Sequence, residues 1–273
     1  MLAILGPKML LELPNELLLM VAEHSMSAKD INNLTSVNSQ LYELLNKYLY
    51  HYNVHQCGSS GMLWAAENGQ EATARKLLRE GANPQVETTS NETPLHLAAR
   101  NGHERLVQLF LCLKNADPDV KDIQQHIPLM WAARNGHDGV VNMLIRTKNT
   151  NINSSDSMGY TSLAWAARYG HVAVVELLLS REAIEPNSLD RFRHTPLSWA
   201  ARNGHEAVVK ILLKKSVVGP DILDINQRSP LSWALQHHHH TVAKMLLARK
   251  TSTANSRDSS ATDIGGTKRL RWL

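Results

Sequence analysis

Hydrophobic and polar positions alternate along most of the chain in short blocks that fit pairs of helices. In residues 194–213, HTPLSWAARNGHEAVVKILL, an apolar run is followed by a polar turn and then by a second apolar stripe at helical spacing. The Thr195 hydroxyl can cap the first helix, and Pro196 suits its first position. Gly204 suits the left-handed turn that ends it. The block therefore predicts two short helices that pack back on each other.

The same block returns every 34 residues. Residues 160–179, YTSLAWAARYGHVAVVELLL, spell nearly the same letters. A dipeptide before the first helix keeps the same phase at Thr93-Pro94, Ile127-Pro128, Thr161-Ser162, Thr195-Pro196 and Ser229-Pro230. A weaker copy without this dipeptide begins at Leu63, and we expect it to cap the array. A constant period of this length indicates stacked repeats in which each unit packs on its neighbours.

A small alanine pair recurs in the first helix of the units, and its size lets neighbouring helices approach closely. A tryptophan precedes the pair at Trp64, Trp131, Trp165, Trp199 and Trp233. These rings could stack on nucleic-acid bases, but their position between helices favours packing as core between repeats. Arginines follow the pair at Arg100, Arg134, Arg168 and Arg202. They fit equally a contact with a partner protein and a favourable charge at a helix C-terminus.

These residues carry a resemblance to a known family. TPLHLAARNGH at 93–103 and GANP at 81–84 resemble the ankyrin repeat, and the resemblance spans residues 58–261. It implies an all-α fold in which helix pairs stack into a solenoid, with turn tips and first-helix faces forming a concave protein-binding surface. It implies no catalysis, so the chain is not expected to be an enzyme. The predicted units are 58–90, 91–125, 126–159, 160–193, 194–227 and 228–261.

Partner choice is expected to be encoded where the units differ most, which is at the turn tips between helix pairs. Phe192 stands between Arg191 and Arg193, and such an aromatic side chain often anchors an interface. A tip that packs on its neighbour instead remains an open alternative. The residues expected to contact a target protein are Gln125, Arg134, Met158, Tyr160, Arg168, Arg191, Phe192, Arg193, Arg202 and Gln227.

Residues 9–51 lack the repeat period and predict a separate module of three helices. The run LPNELLLM at 13–20 resembles the start of an F-box, in which LPxE precedes an apolar helix. The resemblance implies docking to a Skp-family adaptor of a cullin RING ubiquitin ligase. The implied docking residues are Leu13, Pro14, Glu16, Leu17 and Met20. The alternative is a helical cap that shields the end of the array.

Composition narrows the remaining possibilities. The chain has 273 residues, of which 43% are hydrophobic and 20% charged, a globular composition with a net charge of +4. This charge is too small to indicate a nucleic-acid partner. Cys57 and Cys112 form neither a disulfide framework nor a zinc motif, so a reducing compartment, cytoplasm or nucleus, is expected. The opening MLAILGPKMLLELPNE has too short an apolar run for a signal peptide or a membrane span, so no membrane partner is expected.

Motifs of enzymes and cofactors are missing from the sequence. It contains no Gly-rich phosphate loop, HExxH or GxSxG, so no cofactor is expected. Four consecutive histidines at 237–240 are expected to form a polar exposed turn, because adjacent side chains rarely converge on one metal ion. His238 replaces the turn glycine and is expected to be strained or rebuilt. Residues 262–273 are expected to form a C-terminal tail.

The two modules together predict a protein-interaction function. The leading hypothesis is a substrate receptor of a Skp/cullin/F-box ubiquitin ligase, in which the N-terminal helices hold the ligase and the array holds a target protein. The alternative is a non-catalytic scaffold whose N-terminal helices serve only as a cap. In both cases the chain is expected to be a monomer.

Overall fold

A computed structural model describes residues 59–249. The predicted F-box-like segment 9–51 and the tail 262–273 lie outside the described residues. Within the described range the secondary structure is helical, apart from one isolated bridge between Ser155 and Thr161. The pairs are α1 (Ser60–Glu67) with α2 (Glu71–Arg79), α3 (Pro94–Arg100) with α4 (Glu104–Leu111), α5 (Pro128–Asn135) with α6 (Asp138–Arg146), α7 (Ser162–Tyr169) with α8 (Val172–Leu179), α9 (Pro196–Arg202) with α10 (Glu206–Lys214), and α11 (Pro230–Gln236) with a helix α12 over residues 240–249. The predicted all-α arrangement of paired helices is confirmed for this range.

The chain divides into two compact units, residues 1–98 and 99–273. In the described part of the first unit, α1 packs on α2 through Met62, Ala65 and Leu77, which are all buried. Trp64 is 55% exposed, so the prediction that the tryptophans pack as core is wrong at this position. In the second unit each ring is covered by the turn tip that precedes its helix, and the tip that would precede Trp64 lies outside the described residues.

In the second unit the first helices begin and end as their residues predict. The Thr195 hydroxyl accepts a hydrogen bond from the Ser198 amide at 3.1 Å, and Pro196 is the first helical residue. Thr161 caps α7 in the same way, through the Ala164 amide at 3.3 Å. Glycines end these helices in the left-handed conformation that only glycine adopts without strain, as at Gly170 with φ of 79°. Hydroxyl caps therefore start α7, α9 and α11, and glycine turns end α5, α7 and α9.

Two rows of helices make up the second unit. The first helices α5, α7, α9 and α11 pack on one another in order, and α4, α6, α8 and α10 form a second row beside them. The alanine pairs between first helices are fully buried, as predicted from their size. Trp165, Trp199 and Trp233 are buried, which confirms core packing for these three rings, and Trp131 is half-buried. No helix within residues 59–249 has the length and apolarity needed to cross a lipid bilayer.

Candidate functional site

A buried aspartate organises each turn tip of the second unit. One Asp156 oxygen accepts hydrogen bonds from the amides of Met158 at 2.8 Å and Tyr160 at 2.9 Å. Its other oxygen accepts from the indole N–H of Trp165 at 3.0 Å. The same pattern joins Asp122 to Trp131, Asp190 to Trp199 and Asp224 to Trp233. These carboxylates are therefore used inside the fold and are not available to a partner.

Backbone hydrogen bonds join each tip to the next. The Ser157 amide donates to the Gln124 carbonyl at 2.8 Å, and the Arg191 amide donates to the Met158 carbonyl at 2.9 Å. The Ile225 amide repeats the contact with the Phe192 carbonyl at 3.1 Å. Since these bonds fix the spacing of the tips, their outward side chains form a row. Large apolar side chains in this row are exposed at Ile123, Met158, Phe192 and Ile225.

Two histidines connect aspartates of successive tips. The His126 ring nitrogens lie 3.1 Å from the Asp122 carboxylate and 3.3 Å from the Asp156 carboxylate. Burial by itself lowers the pKa of His126, but the hydrogen bond to Asp156 and the charges of both aspartates together raise it above its ordinary value. Burial raises the pKa of Asp156, but hydrogen bonds from His126 and from the tip amides hold it below its ordinary value. His194 lies in the same way between Asp190, at 3.2 Å, and Asp224, at 3.5 Å.

Arginine and tryptophan side chains alternate along the first helices. The guanidinium carbon of Arg134 lies 5.3 Å from the ring centre of Trp131 and 4.8 Å from that of Trp165. Arg168 lies 5.5 Å from Trp165 and 4.5 Å from Trp199. Arg202 repeats the arrangement at 5.2 Å from Trp199 and 4.4 Å from Trp233. We call Arg134, Arg168 and Arg202 the arginine row. Each guanidinium therefore contacts the rings of two successive repeats.

Acidic residues are confined to one of the two rows of helices. The first helices α5, α7, α9 and α11 contain no Asp or Glu. Acidic residues occur instead on the second helices, for example at Asp138, Glu176 and Glu206. Within residues 99–249 the face formed by the tips and the first helices is therefore basic, since the tip carboxylates are buried. We call it the tip-and-helix face.

Of the predicted target-binding residues outside the arginine row, six are exposed at the tips and one is buried. The exposed tip residues are Gln125, Arg191, Phe192, Arg193 and Gln227, together with Met158, which is 37% exposed. Tyr160 differs, because it is only 6% exposed and its ring stacks on that of Trp165 at 4.6 Å. The Arg168 guanidinium donates to the Tyr160 hydroxyl at 3.0 Å. Tyr160 is thus placed to orient Arg168.

Arg228 was not among the residues expected to contact a target, although its position carried a signal. It follows His126, Tyr160 and His194 in the 34-residue phase, where each side chain covers the tip aspartate or its tryptophan. The Arg228 guanidinium lies 3.8 Å from the ring centre of Trp233 and donates to Asp224 at 3.0 Å. Arg228 therefore extends the basic face to the last described repeat.

A second contact between repeats lies at the opposite end of the first helices. The His171 ring donates to the Arg134 carbonyl at 2.8 Å and so caps the end of the preceding first helix. A Cβ atom at Gly136 would come 2.5 Å from this ring, so glycine is needed both for its left-handed φ of 78° and for space. The same contact recurs for Gly102 with His137, Gly170 with His205 and Gly204 with His239.

The run of four histidines follows the turn geometry of the earlier repeats. His238 takes the left-handed conformation with φ of 60° in place of glycine, which corresponds to the strained alternative and not to a rebuilt turn. His237 stacks on Trp233 at 5.7 Å, and His239 caps the Arg202 carbonyl at 3.1 Å. Over residues 59–249 no group of three or more His, Cys, Asp or Glu side chains is arranged to hold a metal ion.

The paired helices, the hydrogen-bonded tips and the exposed basic face define a repeat protein of the class that binds other proteins. A family model for ankyrin repeats matches the chain in three copies, at residues 33–122, 105–190 and 182–258. The chain belongs to the ankyrin repeat family. The first copy begins inside the segment 9–51, and no F-box match accompanies it. No curated protein matches the chain.

Proposed function

We propose that the chain is a receptor whose ankyrin array, over residues 58–261, holds a target protein on the tip-and-helix face. The observation that carries this proposal is the row of exposed apolar and arginine side chains at the tips. Phe192 is 42% exposed between the exposed Arg191 and Arg193, and Ile225, whose amide donates to the Phe192 carbonyl, is 51% exposed. Exposed aromatic and arginine side chains on a rigid support are the residues that dominate many interfaces.

The target contacts divide into anchors and supports. Phe192 and Met158 supply apolar anchors, and Arg191 and Arg193 flank them with charge. Gln125, Arg193 and Gln227 occupy equivalent left-handed tip positions, with φ between 61° and 64°. Arg134, Arg168 and Arg202 line the adjoining first helices, and the buried Tyr160 supports Arg168.

Full-chain proximity labelling with a double variant, Met158→Ser with Phe192→Ser, tests the target face. The matched control is Val217→Ser, because Val217 is 66% exposed in the loop after α10, away from the tips. We expect the tip variant to lose a set of labelled proteins that wild type and control retain. Retention of the whole set by the tip variant would contradict the proposal.

The N-terminal part of the proposal is adaptor docking by residues 9–51 through Leu13, Pro14, Glu16, Leu17 and Met20. It is supported by the likeness of LPNELLLM to the start of an F-box. The chain would then act as a substrate receptor of a Skp/cullin/F-box ubiquitin ligase. It would make no bond itself and would raise the effective concentration of the target near the conjugating enzyme.

The alternative function is a non-catalytic scaffold in which residues 9–51 only cap the array. It is favoured by the first ankyrin match, which begins at residue 33. A pull-down with purified Skp-family adaptor separates the two functions. We expect wild type and the Met158→Ser, Phe192→Ser variant to recover adaptor equally, and Pro14→Ala with Leu17→Asp to recover little. Equal recovery by wild type and the N-terminal variant, or recovery by neither, would favour the scaffold.

A further inference from the structure

We propose that the arginine row, Arg134, Arg168 and Arg202, binds an acidic, extended segment of the partner protein in which a carboxylate recurs at every third residue. The proposal rests on the proposed function, namely that the tip-and-helix face binds protein, and it adds the chemistry and the spacing of what is bound.

The guanidinium groups of the row are positioned by contacts with indole rings, which leaves their N–H donors for a ligand. Each one lies over two indole rings, and contact through the π face uses none of its five N–H donors. Within residues 59–249, Arg134 and Arg202 donate no side-chain hydrogen bond, and Arg168 donates one, to the Tyr160 hydroxyl at 3.0 Å. The planar edge of guanidinium matches the two oxygens of a carboxylate. The row therefore presents donors that are already oriented.

No carboxylate of the described chain competes for these donors. The first helices that carry the row contain no Asp or Glu. The nearby Asp122, Asp156, Asp190 and Asp224 are buried and already accept hydrogen bonds from tip amides and indoles. Arg191, Arg193 and Arg228 add positive charge at the adjoining tips. Charge complementarity thus favours an acidic ligand.

The repeat sets the spacing of the carboxylates. The row places one arginine on each of the packed helices α5, α7 and α9, and packed helices lie about 8–10 Å apart. A polyproline II segment has three residues per turn and rises about 3.1 Å per residue, so side chains at every third position share one side about 9.3 Å apart. Acidic segments stay unfolded on their own and populate this conformation. A seven-residue segment could therefore reach all three arginines.

A nucleic acid would also supply regularly spaced negative charge, but the geometry favours a peptide. Bases would need free aromatic faces to stack on. The rings of Trp165 and Trp199 are buried, and arginines of two successive repeats cover each of them. The ring faces are therefore already occupied, and the row offers hydrogen-bond donors alone.

The test is fluorescence anisotropy of a labelled peptide with the full chain. The probe carries three glutamates separated by Pro-Ala pairs, and its control has the same composition with the glutamates adjacent. We expect the spaced peptide to bind about tenfold more tightly than the control. The reason is that each glutamate that reaches its own guanidinium adds a charge-assisted hydrogen bond. Equal affinities would overturn the proposal. Tighter binding of a single-stranded oligothymidylate of equal charge would overturn it as well.

Variants then locate the site. Arg134→Gln with Arg202→Gln is expected to weaken the spaced peptide about tenfold or more. Arg146→Gln with Lys214→Gln also removes two cations, from exposed positions on the second helices, and is expected to retain binding. Circular dichroism checks that each variant folds. Arg134→Lys with Arg202→Lys retains the charge and is expected to bind weakly, because lysine lacks the planar edge. Full affinity of the lysine variant would overturn the proposal.

Failure of this proposal can be separated from failure of the proposed function by the labelling experiment. If the Met158→Ser, Phe192→Ser variant loses partners while Arg134→Gln with Arg202→Gln retains them all, the face binds protein but the acidic segment is wrong. If both variants retain every partner, the proposed function fails together with this inference.

Discussion

Two kinds of contact join successive repeats, and they lie at opposite ends of the first helices. At the start of α7, the buried Asp156 holds its own tip and the indole of Trp165, and His126 of the preceding tip reaches it. At the end of α7, Gly170 leaves room for the ring of His205, which caps the Arg168 carbonyl. We call these the tip contact and the turn contact.

The two contacts differ in how much they vary. The turn contact is made by glycine and histidine each of the four times it occurs between residues 102 and 239. The position that covers the tip aspartate changes from His126 to Tyr160, His194 and Arg228. The turn contact leaves space for glycine alone beside the histidine ring. The buried tip carboxylate can be covered by different side chains that donate a hydrogen bond or pack against it. The residues of the turn contact therefore cannot vary, whereas the position that covers the tip aspartate can vary between repeats and contribute to recognition.

Removal of a tip aspartate is the strongest way to break the tip contact. Asp156→Ala leaves the buried Tyr160 amide and Trp165 indole N–H, and the partly buried Met158 amide, without an acceptor, so we expect a loss of about 3–5 kcal/mol in the free energy of unfolding. Urea denaturation followed by circular dichroism measures it. Asp138→Ala is the control, because Asp138 is exposed at the start of α6 and is expected to cost about 0.5 kcal/mol. Similar losses would show that the tip carboxylate is not a structural centre.

The turn contact is tested by adding one methyl group. In Gly136→Ala the new Cβ meets the His171 ring at 2.5 Å in a backbone with φ of 78°, so we expect a loss of about 3 kcal/mol. Gly81→Ala separates the two causes, since Gly81 has φ of 88° and open space around its Cβ position. That variant is expected to lose about 1 kcal/mol, measured by the same denaturation. Equal losses would mean that space at the turn plays no part.

The sequence predicts different parts of the turn contact and of the tip contact. The cap at Thr195, the turn glycines and the buried alanine pairs follow from local rules, and the structure confirms them. The partner of His171 did not follow, because its acceptor is the carbonyl of Arg134 in the preceding repeat. Local rules describe one unit and give no register between units.

The tip contact has a signal in the sequence that does not by itself predict the contact. An aspartate stands nine residues before each of Trp131, Trp165, Trp199 and Trp233, but this spacing implies a hydrogen bond only if the tip folds back over the ring. For the arginine row the sequence suggests partner contact or charge at helix ends, and neither alternative includes a guanidinium placed over two indole rings. For Trp64 the prediction of core packing was wrong.

The contribution of the tip contact between His126 and Asp156 to stability is expected to depend on pH. The folded pKa of His126 lies above its ordinary 6.5, so its contribution to stability is complete below that pH and is lost as pH rises through the folded value. The folded pKa of Asp156 lies below its ordinary 3.8, so its contribution is complete above that pH and is lost at more acidic pH. The pair is therefore expected to stabilise most between about pH 4 and 6.5.

The corresponding variant is His126→Gln, compared with wild type by urea denaturation at pH 5.5 and pH 8. We expect it to cost about 1–2 kcal/mol at pH 5.5, from the lost charge-assisted hydrogen bonds, and less at pH 8. Gln125→Ala, at the neighbouring exposed tip position, is the control and should show no such dependence on pH. A difference that stays constant or grows toward pH 8 would contradict the ionised His126 contact.

The smallest effect separates stability from recognition within a single tip. Arg193 has φ of 62°, at the position where the preceding tip carries Gly159, so Arg193→Gly relieves left-handed strain at some cost in unfolded-chain entropy. We expect a net gain of about 0.5 kcal/mol in the free energy of unfolding, measured by urea denaturation. Arg191→Gly removes the same charge at a position without positive φ, so it should lose stability. If both variants lose stability equally, the left-handed tip is not strained, and arginine at 193 would need no explanation beyond the fold. A gain at 193 alone would mean that the tip keeps its arginine at a cost in stability, as expected for a residue that contacts a partner.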